Sequence, residues 1–310
     1  MTDQSEVELV ETFWGDLGLP GLLDLHVHFL PPPIERAVWR EFDQGGELIG
    51  RSWPITYRHS QEERVELLRS FGVRRFPTLP YAHKPGAAEF LNGWSREFAA
   101  GVPEALWTAT FFPEDGVTAY VAGLIDAGVE MFKVHSQVGS FHVDDPLLDA
   151  AWGLIADAGV PVVAHVGSGP VGTPYTGPAA TARLLRRHPG LRLVIAHLGM
   201  PEAADFIALA ETHDHVHLDT SMALAPWFLS AARDERRIEG FTDPHGGGGA
   251  FPADLVPRLG ELQHRVVYGS DFPTLPFRYA DQLGWIADLG LGDDWLRDVC
   301  WHNAARLLGI

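Results

Sequence analysis

The stretch Leu22-Leu23-Asp24-Leu25-His26-Val27-His28 decides the fold prediction, because polar and apolar residues alternate along it. Successive side chains of an extended strand point to opposite faces, so this alternation predicts a strand. Asp24, His26 and His28 would share one face, with the apolar residues packed on the other. Two imidazoles two residues apart can hold one divalent ion. The alternative is a pair of core histidines bonded to backbone carbonyls.

The composition is that of a globular protein with a large core. The chain has 310 residues, of which 46% are hydrophobic and 21% are charged. A net charge of −18 excludes nucleic acid and anionic membranes as expected partners, because both select clustered Lys and Arg. The expected partner is a small-molecule substrate, and a homodimer is compatible with the sequence. A single cysteine, Cys300, excludes an intrachain disulfide and a thiolate-rich metal site.

The cellular location is predicted from what the sequence lacks. The acidic first residues have no basic segment followed by an apolar core, so we expect no signal peptide. No apolar run approaches the length of a membrane span. These features predict a cytoplasmic protein.

Short strands rich in Val, Ile and Leu alternate with helices along the rest of the chain. After the first strand, strands are predicted at 73–79, 105–112, 129–135, 160–166, 191–197, 215–220 and 265–270. Helices are predicted at 60–71, 85–100, 115–127, 146–158, 178–187, 201–212 and 252–262, from 278, and from 294 to the end. Residues 1–20 are an acidic lead-in, and 34–60 are a long connection without clear periodicity. Eight such repeats predict an α/β fold, a single (β/α)₈ TIM barrel over residues 1–310 with a C-terminal helix. A doubly wound open sheet is the alternative.

Polar residues of the types that bind metals or substrates stand at the carboxyl ends of five predicted strands. In a barrel these ends meet at one mouth, which is where active sites form. Five strands ending in this way predict a functional site. The residues are His28, Lys133, His135, His165, His197 and Asp271.

The motifs at these strand ends resemble the amidohydrolase superfamily, and more narrowly the branch that includes aminocarboxymuconate-semialdehyde decarboxylase. They are Asp24-Leu-His26-Val-His28, Phe132-Lys133-Val-His135, Val163-Ala-His165, Ile195-Ala-His197-Leu-Gly and Tyr268-Gly-Ser-Asp271-Phe-Pro. The segment from His302 to Gly309 also resembles the terminal helix of that branch.

The resemblance implies one divalent ion, zinc, with a coordination position left for water. The ligands would be His26, His28, His165 and Asp271, and His197 would be the acid–base residue. The residue chemistry agrees, because three imidazoles and one carboxylate leave a positively charged ion that lowers the pKa of water. Asp271 could also accept a proton from that water, and His197 could stabilise the developing oxyanion.

Lys133 has three possible roles. In binuclear relatives a lysine at the end of this strand carries a carbamate that bridges two ions. The role we favour is a plain ammonium beside a substrate carboxylate or an oxyanion. The third is a structural pair with Asp24.

Other residues are predicted to contact the substrate. His135 shares a face with Lys133, and Ser221 and Asp219 lie at the carboxyl end of the seventh strand. Arg51 and Trp53 belong to the long connection, which also contains Trp39, Arg40 and Arg58. Aromatic rings with arginines suit a planar or unsaturated substrate that carries a carboxylate, although arginines are often solvated surface residues. The glycines at 246–249 are read as an unconstrained loop, with a lid hinge as the alternative.

Several further signals are set aside. Gly167-Ser-Gly169-Pro-Val-Gly172 matches a dinucleotide fingerprint, but no helix is predicted directly after it. His213, His215 and His217 lie at the start of the seventh strand, away from the mouth. Cys300 is assigned to packing, and no serine stands in a nucleophile elbow.

Two enzyme functions fit the predicted site. The first is a metal-dependent hydrolase that cleaves a small carboxylate-bearing ester, lactone or amide with metal-activated water. The second is a metal-dependent, nonoxidative decarboxylase of a small aromatic or muconate-type acid. An arginine facing the metal would favour decarboxylation. A non-catalytic binding protein fits poorly with a complete ligand set.

Overall fold

The computed structural model describes residues 4–45, 52–226 and 251–310. Arg51 and the glycines at 246–249 lie outside the described residues. The chain forms two compact units, Met1–Phe76 together with Thr220–Ile310, and Pro77–Asp219. The single domain expected from the sequence stays a prediction. Within the described parts of the chain, no helix is both long and apolar enough to span a membrane.

Helices and parallel strands alternate along the chain, as the sequence predicts. The elements are α1 (Gln4–Asp16), β1 (Leu22–Leu23), α2 (Pro32–Asp43), α3 (Gln61–Ser70), β2 (Val73–Pro77), α4 (Ala87–Gly101), β3 (Ala105–Leu106), β4 (Thr108–Thr110), α5 (Val117–Asp126), β5 (Met131–His135), α6 (Ser136–Gly139), α7 (Asp149–Ala158), β6 (Val162–His165), α8 (Pro178–Arg187), β7 (Leu193–Ile195), α9 (Ala203–Thr212), β8 (Val216–Asp219), α10 (Val256–Glu261), β9 (Val266–Val267), α11 (Tyr279–Ala287), α12 (Asp293–Arg297) and α13 (Asn303–Leu308). Short 3₁₀ turns lie at Pro146–Leu148, Ala196–Gly199 and Gln263–Arg265, and a π-helical turn lies at Asp298–His302.

In the unit Pro77–Asp219, strands β4 to β8 pair in chain order and are all parallel. Their apolar residues are almost completely buried, which is typical of parallel strands covered on both faces. The register places His135 beside His165 at the carboxyl ends of β5 and β6. Strand pairing therefore brings two of the predicted site residues together.

In the other unit, β1 pairs in parallel with β2 through Leu22 and Val73. Beyond β1 the backbone of residues 25–28 runs beside residues 268–272. The amide of Leu25 donates to the carbonyl of Tyr268 at 3.0 Å, and the amide of His28 donates to the carbonyl of Phe272 at 2.7 Å. This pairing carries the two histidines of the first strand alongside Asp271.

Among the described residues, two helices lie where the sequence suggested none, besides the four-residue helix α6. The lead-in contains α1, which buries Glu6 and Val10. The connection after the first strand contains α2, whose first residues are Pro32 and Pro33. Proline is favoured in the first turn of a helix, where its missing N–H has no intrahelical acceptor. The prolines that follow the first strand therefore begin a helix.

The regular strands are shorter than predicted, most of all at the first and last strands. Leu22–Leu23 replaces 22–28, and Val266–Val267 replaces 265–270. The ladder register shifts between Leu22 and Leu23. The amide of Asp24 still donates to the carbonyl of Arg75 in β2 at 3.2 Å, and the amides of Leu25 and His28 donate to residues 268–272.

Helices α2 and α3 are joined by a buried ion pair. A capping box begins α3, the helix predicted at 60–71, with Ser60 and Glu63 each accepting the backbone N–H of the other. One turn later, Nη2 of Arg64 lies 2.5 Å from Oε1 of Glu35. The Arg64 side chain is fully buried and stacks over the rings of Phe29 and Trp39.

Candidate metal centre

The side chains of His26, His28 and Asp271 converge on a common point. All three belong to the unit formed by Met1–Phe76 and Thr220–Ile310. Oδ1 of Asp271 lies 3.4 Å from Nε2 of His26 and 3.1 Å from Nε2 of His28. One donor atom from each residue lies within 4.8 Å of the other two. Donors about 2.1 Å from a tetrahedral zinc ion are about 3.4 Å from one another, so the spacing fits one shared cation.

The backbone explains how Asp271 reaches the histidines. Its φ of 69° is left-handed, a region in which aspartate is tolerated better than most residues. The amide of Asp271 donates to the carbonyl of His26 at 2.7 Å, and the hydroxyl of Thr274 donates to the carbonyl of Asp271 at 3.1 Å. The carboxylate is therefore fixed on a short turn directly beside the first strand.

Asp24 contacts the backbone of this centre. Its Oδ1 accepts the amides of His26 at 3.1 Å and Ser270 at 3.0 Å, and its Oδ2 accepts the hydroxyl of Tyr279 at 3.0 Å. Complete burial raises the pKa of Asp24 to about 7, while its hydrogen bonds with Ser270, His26 and Tyr279 act in the opposite direction. Asp24 thus holds together the two segments that carry the candidate ligands.

Ser221 is fully buried, and its Oγ lies 3.1 Å from Nδ1 of His26. A histidine that binds metal through Nε2 carries its proton on Nδ1, and a partner for that proton fixes the ring. Ser221 can accept this proton. Its predicted contact with substrate stays a prediction, whereas its contact with a candidate ligand is observed.

The unit Pro77–Asp219 gathers a second group of site residues. The rings of His135 and His165 are stacked with centroids 3.9 Å apart, and the rings of His165 and His197 lie edge to face at 4.9 Å. Tyr81 packs against His135 at 5.2 Å. Nε2 of His165 is 2.9 Å from the carbonyl oxygen of Gly169. Three of the predicted strand-end residues are therefore adjacent.

His197 lies in a tight turn, whereas the sequence pattern placed it on the strand 191–197. Strand β7 ends at Ile195, and His197, Leu198 and Gly199 all have left-handed φ values of 57°, 51° and 72°. The amide of His197 donates to Oδ1 of the buried Asp219 at 2.9 Å. Asp219, proposed from the sequence as a substrate contact, here holds the backbone of the acid–base candidate.

The remaining predicted contacts occupy varied positions. Lys133 is fully buried on β5, in register with Thr110 and Val163. Trp53 is 6% exposed, and its indole N–H donates to the carbonyl of Thr274 at 2.7 Å. Their contacts with substrate stay predictions.

The segment with the dinucleotide-like glycines is a loop. The amide of Gly177 donates to the carbonyl of Val166 at 2.7 Å and closes this loop, and α8 begins only at Pro178. Cys300 is fully buried, and burial raises the pKa of its thiol, in agreement with the packing assignment.

The sequence match decides the family. The family model described as amidohydrolase matches residues 23–310, nearly the whole chain. The chain belongs to the amidohydrolase family. The resemblance inferred from the strand-end motifs is thereby confirmed. Members of the amidohydrolase superfamily are enzymes, so the chain belongs to a family of enzymes. No curated protein matches the chain significantly.

Solved structures with the same fold cover almost the entire amidohydrolase chain. An uncharacterised TIM-barrel protein from Bordetella bronchiseptica has a TM-score of 0.69 and 19% identity over 93% of this chain and 98% of its own. A 5-carboxyvanillate decarboxylase from Novosphingobium aromaticivorans, complexed with manganese and 4-hydroxy-3-methoxy-5-nitrobenzoic acid, has a TM-score of 0.61 and 13% identity, covering 96% and 97%. A probable 2-pyrone-4,6-dicarboxylic acid hydrolase from Acinetobacter baumannii, with citric acid bound, has a TM-score of 0.58 and 12% identity, covering 94% and 100%. The predicted TIM-barrel fold is confirmed.

Proposed function

We propose that this member of the amidohydrolase family is a divalent-metal-dependent hydrolase of a small, carboxylate-bearing ester, lactone or amide. The observation that carries the proposal is the convergence of His26, His28 and Asp271 on one point, with donor separations of 3.1 and 3.4 Å. Imidazole nitrogens and a carboxylate oxygen form a donor set that zinc accepts, and manganese also binds such sites.

His165 is proposed as the fourth ligand. The TIM barrel supports this assignment, because the carboxyl ends of its strands lie at the same face, and His165 is the last residue of β6. One ion is sufficient for the proposed chemistry. A second ion bridged by a carbamate on Lys133 is the lesser alternative.

A divalent ion at this centre would polarise the scissile carbonyl and lower the pKa of water to near neutrality. The carboxylate of Asp271 would accept the proton of the attacking water. His197 would hydrogen-bond the developing oxyanion and donate a proton to the leaving group. Lys133 and His135, with Arg51, Trp53 and Ser221, are the proposed contacts to the substrate.

Decarboxylation is the second candidate, and a specific observation favours it. The manganese-containing neighbour from Novosphingobium is a 5-carboxyvanillate decarboxylase with the same fold. In this alternative the same residues would orient an aromatic carboxylate, and His197 would supply the proton that replaces carbon dioxide on the ring carbon.

The first test is the metal itself. Elemental analysis of the purified protein should find one zinc or manganese ion per chain. Treatment with a chelator followed by removal of the chelator should abolish any activity, and the added metal should restore it. Activity that survives complete metal removal would contradict both candidate functions.

The second test separates the two reactions. The metal-loaded protein is incubated with lactones, esters and amides that carry a carboxylate, and separately with hydroxylated benzoic acids. Acid release without carbon dioxide identifies hydrolysis, and isotopically labelled carbon dioxide from a labelled carboxylate identifies decarboxylation. A His197→Asn variant should keep its metal and lose about 100- to 10,000-fold in rate, which is the usual contribution of a general acid–base residue.

A further inference from the structure

A buried carboxylate lies on α1, upstream of the residues that match the family. Glu6 is 3% exposed, whereas the amidohydrolase match begins at residue 23. Its Oε1 accepts the hydroxyl of Tyr57 at 2.6 Å and the amide of Ala280 at 3.2 Å. Both partners belong to segments far from α1 along the chain.

Two tyrosines continue the hydrogen bonds from Glu6 toward the metal centre. The hydroxyl of Tyr57 donates to Glu6 and accepts the amide of Tyr279 at 2.5 Å. The hydroxyl of Tyr279 donates to Oδ2 of Asp24 at 3.0 Å. Tyr57 is 2% exposed and Tyr279 is fully buried, so water does not compete for these bonds.

Asp24, the last residue in this series of hydrogen bonds, contacts both segments that carry the candidate metal ligands. Oδ1 of Asp24 accepts the amide of His26 and the amide of Ser270, the residue before Asp271. The same carboxylate therefore connects both segments whose side chains converge. A change in its position would move the imidazole donors relative to the carboxylate donor.

We propose that Glu6, Tyr57, Tyr279 and Asp24 form a positioning network that sets the separation of the donor atoms of His26, His28 and Asp271. The inference rests on the metal centre of the proposed function and extends it to α1. A helix outside the family match thereby determines how tightly the centre binds its ion. None of the four side chains is a ligand, so each acts through the backbone of the residues that are.

Groups that orient metal ligands typically change metal affinity 10- to 100-fold when removed. A helix that is merely docked to the protein would instead change stability and leave the affinity of the folded protein unchanged. The dissociation constant for Zn²⁺ distinguishes these roles, whereas a melting temperature alone does not.

The experiment measures the Zn²⁺ dissociation constant of the metal-free full chain by competition with a chromogenic chelator. Circular dichroism confirms that each variant is folded at the temperature used. Tyr279→Phe and Tyr57→Phe, which lose only hydroxyl groups, and Glu6→Ala should bind Zn²⁺ about 10- to 100-fold more weakly than the wild type. Glu6→Gln should bind like the wild type, because one amide oxygen can accept both bonds that Oε1 accepts.

Two controls remove groups outside the network, one from a fully buried side chain and one from a half-buried side chain. Val10→Ala shortens a fully buried side chain on the same helix. Tyr120→Phe removes a hydroxyl that contacts the amide of Phe112 at 3.0 Å and Glu114 at 3.2 Å. Both controls should destabilise the protein while keeping the wild-type Zn²⁺ affinity.

Unchanged affinity in Tyr279→Phe and Tyr57→Phe would overturn the network. So would a Val10→Ala variant that weakens binding as much as Glu6→Ala, because helix docking would then explain the effect. If the wild type binds neither Zn²⁺ nor Mn²⁺, the proposed function itself fails, and the network fails with it. Tight binding by the wild type with no effect of the variants leaves the proposed function intact.

Discussion

At the scale of single residues, two polar side chains at strand ends depend on a backbone conformation that their sequence motifs do not show. Asp271 and His197 have left-handed φ values of 69° and 57°. The strand-end motifs predict which residues come together, because parallel strands carry their carboxyl ends to the same edge. They do not predict the turns, because Asp and His adopt this region only when surrounding contacts stabilise it. Asp219, which holds the amide of His197, is such a contact.

The charge of Asp271 can be tested apart from its conformation. Asparagine tolerates a left-handed φ at least as well as aspartate, so Asp271→Asn should fold normally. Loss of the anionic donor should weaken Zn²⁺ binding more than about 10-fold, as measured by chelator competition. Asp294→Asn, at an exposed aspartate paired with Arg297, is the control and should bind like the wild type. Equal affinities would remove Asp271 from the ligand set.

At the scale of secondary structure, local patterns predict elements well and long-range pairs poorly. The capping box of Ser60 and Glu63 correctly marks the start of α3. The pair of Arg64 and Glu35 joins two helices through residues 29 positions apart, and no local pattern indicates it. For the same reason, the hydrogen bonds of Glu6, Tyr57 and Tyr279 cannot be predicted from the sequence. No local motif marks these residues, and their partners are distant along the chain.

The buried pair of Arg64 and Glu35 between α2 and α3 should contribute more to the free energy of unfolding than the exposed pair of Arg58 and Asp43. Arg64→Ala leaves Glu35 largely buried without its cation, which typically costs about 3–5 kcal/mol of unfolding free energy. Arg58→Ala also removes a cation stacked over Trp39, but its pair with Asp43 is exposed and should contribute about 0–1 kcal/mol. Urea denaturation measures both changes. A similar loss of unfolding free energy in the two variants would show that burial does not increase the contribution of Arg64 to stability.

The turn that carries His197 requires glycine at position 199. A Cβ added to Gly199 would lie 2.0 Å from the ring of Phe206, and the φ of 72° disfavours any other residue. Overpacking and backbone strain together should cost Gly199→Ala about 2–5 kcal/mol in urea denaturation. Gly190→Ala is the matched control, because nothing lies within 4 Å of its added Cβ. A Gly199→Ala protein as stable as Gly190→Ala would contradict the tight packing of this turn.

At the scale of the whole molecule, the ordered set of motifs identifies the family and the TIM-barrel fold. The acids and imidazoles of those motifs can be proposed as metal ligands from the sequence, because metal ions accept few side-chain types. The substrate cannot be assigned in the same way. Trp53 illustrates the reason, because an aromatic residue that suits a substrate pocket also donates its N–H within the protein, to the carbonyl of Thr274.

Metal binding should stabilise the entire protein. An ion present at about 1,000 times its dissociation constant adds about 4.1 kcal/mol to the unfolding free energy. With an unfolding entropy of about 2.1 cal/mol/K per residue, this should raise the melting temperature by about 6 °C. Differential scanning calorimetry with and without Zn²⁺ measures the shift, and Asp271→Asn should show a much smaller one. A wild-type melting temperature that does not change when Zn²⁺ is added would argue against a Zn²⁺ site in the folded protein.

The position of Glu6 on α1 has a practical consequence for protein engineering. A truncated form that begins at residue 23, where the family likeness starts, would retain every candidate ligand but lose the carboxylate that anchors Tyr57. A shortened protein designed to keep the proposed network therefore has to include α1 as well as residues 23–310.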